Sequence, residues 1–140
     1  MAGATVGVAA LAEGAEDGRT PVAVNDVART YILENMRFHL ENVLKVIDAL
    51  ADGNSERAIS AAKAFGTQAS KENARRPKGM HASLPPDFVA EAEKFHAVFD
   101  VLAEGMTKGD NAAQSMRRLA DGMQTCVSCH AFYKLKLIAN

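Results

Sequence analysis

Apolar side chains recur every three to four positions along most of this chain, and no segment reads as an alternating strand. That period is the signature of a helix with one buried face, and four segments carry it. The first runs from about Asn25 to Leu50, with Asn25 or Asp26 as its N-cap. At roughly 100° per residue from Met36, the side chains of Ile32, Leu33, Leu40, Val43, Leu44, Val46, Ile47 and Leu50 fall within about 80°. Glu34, Glu41, Lys45 and Asp48 fall opposite, so Met36 is expected at the centre of the buried face. Asp52-Gly53-Asn54 ends the helix as a turn.

The second segment, Ser55 to about Ala74, has a thin apolar face of Ile59, Ala62, Gly66 and Ala69 and is expected to be the least buried helix. Residues 75–84 form a loop carrying Arg75, Arg76, Lys78, Met80 and His81. Pro85 and Pro86 pre-set the start of a third helix reaching about Thr107. Its line of Phe88, Ala92, Phe95, Phe99, Leu102 and Met106 faces inward, while His96 falls to the rim. A fourth helix from about Asp110 to Lys136 aligns Ala112, Met116, Leu119, Met123, Cys126 and Leu137 with His130. Turns this short make successive helices antiparallel. The expected fold class is all-α, an up-down-up-down four-helix bundle.

Length and charge narrow the functional classes. The 140 residues suffice for one domain, and a formal net charge of −1 supplies no general attraction to nucleic acid or anionic lipid. No segment is long and apolar enough to span a membrane. Residues 4–12 resemble the apolar stretch of an export signal, although no basic residues precede them. Residues 1–22 are therefore set aside as a signal remnant or flexible N-terminus, leaving residues 23–140 as the helical domain.

The chemistry concentrates in Cys126-Val127-Ser128-Cys129-His130, which uses both cysteines of the chain. A disulfide between residues three apart would close too small a loop to constrain the unfolded chain much. A thioredoxin-type pair belongs in a βαβ setting. A zinc site needs a second ligand pair, and His39, His81 and His96 stand singly. Covalent haem attachment fits: two thiols bond the porphyrin edge while the adjacent imidazole of His130 reaches the iron. One haem c per chain is expected, at one end of the bundle, in an exported, periplasmic protein.

Helix heights place Met36 near His130, and its soft thioether is the first candidate for the sixth iron ligand. His39, Met80 and His81 are alternatives, and an open sixth position is another. Arg29, Arg75, Arg76 and Lys78 could pair with haem propionates, or the loop cations could dock an acidic partner. Leu40, Phe95, Phe99, Met123, Tyr133 and Lys134 are further candidate haem contacts. No cluster of acid, base and nucleophile is visible, so catalysis is not expected. Phe38, about 200° from Met36, faces outward and could enter a homodimer interface.

Four helices with C-x-x-C-H in the last, followed by Tyr133-Lys134, resemble the class II cytochromes c, the cytochrome c prime family. The resemblance covers about residues 25–136. It implies Cys126 and Cys129 as thioether anchors, His130 as proximal ligand and Met36 at the distal position, as in the Met-ligated low-spin subgroup. Ile32 replaces the arginine that many members carry four residues before the distal residue. The implied function is electron transfer between redox partner proteins. The alternative is a five-coordinate haem that binds nitric oxide or carbon monoxide.

Overall fold

The computed structural model describes residues 17–139. Strand β1 (Thr20–Val24) leads into helix α1 (Asp26–Ala51), followed by α2 (Ser55–Lys63), α3 (Thr67–Lys71), α4 (Met80–Ser83), α5 (Pro86–Thr107), α6 (Ala112–Phe132) and strand β2 (Tyr133–Leu137). The molecule is a helical bundle in which α1 packs on α2, α2 on α5, and α5 on α6, while α1 meets α6 only sparsely. Caps follow the local sequence. The Asn25 side chain accepts from the Ala28 amide, and Asn111 and Gln114 form a reciprocal capping box at α6. Gly122 lets α5 and α6 approach closely, since a Cβ there would lie 2.1 Å from a Val98 methyl.

The expected second helix is broken. Phe65, buried to 3% exposure, turns into the core between α2 and α3. The Asp100 carboxylate accepts from the Thr67 amide (3.1 Å) and hydroxyl (2.6 Å), which satisfies the start of the new helix. The expected loop contains a short helix, α4, which begins after Gly79 in the left-handed conformation (φ 73°).

The fourth helix stops four residues early, at Phe132. Residues 133–137 pair in parallel with residues 20–24, Tyr133 opposite Thr20 and Leu137 opposite Val24. The boundary expected at residue 22 therefore falls inside β1, where Val22 is fully buried. The stretch read as an export signal lies outside the described residues.

Two apolar cores result. The main core joins Val43, Val46, Phe65, Phe95, Phe99, Leu102 and Leu119. A smaller terminal core joins Val22 and Val24 of β1 with Ala28, Ile32, Met80 and Leu84, and Tyr31, Phe88, Tyr133 and Leu135 pack against it.

Helix α1 is rotated from its expected setting. Its buried residues are Ala28, Ile32, His39, Asn42, Val43, Val46, Ala49 and Leu50. Their mean direction lies about 70° to one side of Met36. Small and polar side chains enter the core because α2 packs closely on that side of α1. Asn42 meets the burial cost by donating to the Phe38 carbonyl at 2.7 Å. Met36, Leu40 and Leu44 are left on the uncovered flank, at 36%, 58% and 55% exposure. Phe38 does not face outward as expected: it meets Phe65 edge-on, and the Arg75 guanidinium lies 5.0 Å from its ring centre.

Candidate functional site

Where the two cores meet, α1, α4, α5 and α6 leave a mostly apolar cavity of about 340 Å³. That volume lies within the roughly 300–1,000 Å³ span of small-molecule and cofactor sites. Helix α6 contributes Met123, Cys126, Cys129 and His130; α1 contributes Ile32, Met36, His39, Leu40 and Val43. Helix α4 adds Met80 and His81, and α5 adds Phe88, Phe95 and His96. The whole Cys-Cys-His motif thus shares one cavity with every candidate for the opposite side.

The placement follows from α6. Leu119 anchors its middle in the main core at 1% exposure, and Cys126, two turns on, packs at the edge of that core. Cys129 is half-buried one turn later, and His130 stands exposed at the cavity mouth. Arg19 holds the end of the helix by donating to the His130 carbonyl at 3.3 Å. Both thiols are free, and burial pushes the ionisation of each above its ordinary value. A dithiol redox centre has the opposite bias, with a stabilised thiolate at the start of a helix; this pair sits near a helix end. Among the described residues no group of three or more His, Cys, Asp or Glu is disposed to hold a metal ion directly. A zinc reading of the motif gains nothing from the surroundings.

His39 lies at the centre of the buried face of α1. It stacks on Phe95 (4.9 Å between centroids), meets Phe65 and His96 edge-on, and has Nε2 3.1 Å from the Asn35 amide nitrogen. Burial, then repulsion from His96, lowers its pKa to about 4. A ring held this way is a wall element with its nitrogen engaged. His96 was expected at the rim and is instead buried, with Nδ1 3.0 Å from the Phe65 carbonyl. Burial is the main cause that keeps its pKa, and that of His81, below the ordinary value. Met80 is buried in the terminal core with its side chain at the cavity wall.

Several expected contacts lie elsewhere. Arg29 is exposed and does not line the cavity. Phe99 is fully buried in the main core. Tyr133 packs edge-on against Phe88 at 5.3 Å, and Lys134 donates to the Asp17 carbonyl at 2.7 Å. Of the loop cations only Arg76 reaches the cavity, which Lys78 and Arg75 do not line. Tyr31, Asn35, Val43 and Ser70 complete the walls without having been expected there. Asn35 could have been inferred from its position one turn before His39; Ser70 carries no local signal.

The donor set suits a covalently held haem. Two thiols and an imidazole stand on one wall, a thioether faces the same space from α1, and apolar side chains fill the intervals. When bound, haem would supply a one-electron redox couple, with Cys126 and Cys129 as its anchors and His130 as the nitrogen ligand. No protein-family model, curated protein or solved structure matches this chain.

Proposed function

We propose that the protein is a periplasmic c-type cytochrome that carries one electron on a six-coordinate His130/Met36 haem. The resemblance to the Met-ligated class II cytochromes c supplies the reading. The observation that carries it is the single cavity lined by Cys126, Cys129, His130 and Met36. In attachment Cys126 and Cys129 would each add their S–H across a vinyl double bond, so no oxidant or leaving group would be needed. His130 would hold the iron through a ring nitrogen. Met36, on the uncovered flank of α1 where it lines the cavity, offers a soft ligand that would favour the reduced state. The apolar walls disfavour the added positive charge of the oxidised state and act in the same direction. His39 is the weaker ligand candidate because its ring is stacked and its Nε2 engaged.

Two measurements test this. Acid–acetone extraction should leave haem on the protein; its complete release, or its absence, overturns the proposal. The oxidised protein should give a low-spin spectrum with the far-red band of thioether ligation, and Met36→Ala should convert it to high-spin. A high-spin parent would assign the five-coordinate, gas-binding alternative. A low-spin Met36→Ala protein would move the ligand to His39, Met80 or His81.

A further inference from the structure

We infer that Arg76 is the cavity's carboxylate anchor and binds a propionate of the haem held by Cys126 and Cys129. The inference rests on the cytochrome reading and adds to it a residue that the family resemblance does not supply, since Ile32 replaces the usual arginine of α1.

Arg76 lies between α3 and α4, is half-buried and lines the cavity. Its Nη2 donates to the Ser70 carbonyl (2.7 Å) and hydroxyl (3.2 Å), which fixes the guanidinium at the wall. Its Nε is buried and has no hydrogen-bond partner. Among the described residues no carboxylate stands within 4.0 Å of its nitrogens. A guanidinium keeps its charge at any physiological pH. Partly desolvated and without an anion, it is costly.

No described carboxylate forms an ion pair with Arg76, although Glu93 lines the same cavity and its charge reaches His81 and His96. His81 of α4 and His96 of α5 stand close to Arg76 and bring no negative charge. Glu91, on the cavity wall, is paired with Lys94 at 2.5 Å, and Glu93 is exposed at the rim. The other cations are placed for different work. Arg75 covers the Phe38 ring, while Arg29 and Lys78 are exposed and away from the cavity. The missing partner is therefore an anion that enters with the occupant of the cavity, and a carboxylate matches the fork of N–H donors. A propionate and a free small carboxylate share that chemistry. The propionate is preferred because the thiols that would hold haem open into the same cavity.

The test uses the haem-loaded protein and its Arg76→Gln, Arg76→Lys, Arg75→Gln and Arg29→Gln variants. Midpoint potential and the resonance Raman propionate-bending band are read on each. Removing a positive charge beside the haem favours the oxidised state, so Arg76→Gln should shift the equilibrium roughly tenfold toward it, about 59 mV downward for one electron. The propionate band should move with it. Arg76→Lys should keep most of the potential and still move the band, because it retains charge and loses the fork; should Arg76→Gln not fold, this band shift decides. Arg75→Gln and Arg29→Gln should match the parent. Arg76→Gln with parental potential and band, haem still covalent and low-spin, overturns the anchor and leaves the electron carrier standing. Absence of covalent haem overturns both. Saturable movement of the parent's potential by acetate at constant ionic strength, lost in Arg76→Gln, would assign a free anion and overturn the propionate.

Discussion

The main core draws Phe95, Phe99 and Leu102 from α5, Leu119 from α6, Val43 and Val46 from α1, and Phe65 from the break between α2 and α3. The terminal core draws on two short strands, the first turns of α1, and the short helix α4. The first is built from interlocked aromatic rings: Phe65, Phe95 and Phe99 meet one another edge-on at 4.8–5.8 Å. The second has no aromatic ring among its buried residues, and the only rings that flank it are Tyr31 and the edge-on pair Phe88 and Tyr133. The cavity lies between them, with walls borrowed from both. A scaffold and a closure are thus separate parts, and only the closure joins segments near the two ends of the described residues.

The largest effect that would separate the two is expected from Phe99→Ala. Phe99 is fully buried in the main core, and the loss should be about 3–5 kcal/mol by thermal or denaturant unfolding. Acid should act next, through the histidines on the main-core side of the cavity. His39 titrates at about 4 when folded against an ordinary value of 6.5. The unfolded chain therefore binds more protons between those values. Stability is full above about pH 6.5 and falls as pH drops toward 4, by up to about 3 kcal/mol. Denaturant midpoints measured across that window should show the slope, and His39→Gln should reduce it. In the terminal core, Val22→Ala removes two buried methyl groups and should cost about 1–2 kcal/mol. Hydrogen exchange should report it as faster opening of the β1–β2 amides, with α5 little changed. Smallest is Leu44→Gln on the uncovered flank of α1, where the melting temperature should move by no more than about 0.5 kcal/mol implies.

The three long helices were readable from their period, because α1, α5 and α6 each bury one stripe. The strands were not, for a definite reason. Tyr133, Leu135 and Leu137 do alternate with Lys134 and Lys136, but Leu137 also falls on the helical stripe of Met123 and Cys126. The longer period won the assignment, and the partner strand that decides otherwise lies more than a hundred residues away. The rotation of α1 was equally invisible, because Ala28, Asn42 and Ala49 are buried by close approach of neighbours and not by their own hydrophobicity. At the candidate site, the Cys-Cys-His motif and Met36 were readable as local chemistry. The choice of Arg76 over Arg29 was not, since both are cations on helical or loop positions of equal promise. Only the tertiary placement of the α3–α4 segment separates them.

The parallel pairing of β1 with β2 also bears on the order of folding. It joins residues near the two ends of the described chain and closes a loop of about 110 residues, among the most expensive contacts the fold contains in loop-closure entropy. Contacts within and between neighbouring helices need far shorter loops and form sooner. The terminal core is thus the last part to assemble, and the cavity acquires its second wall only when the ends of the domain meet.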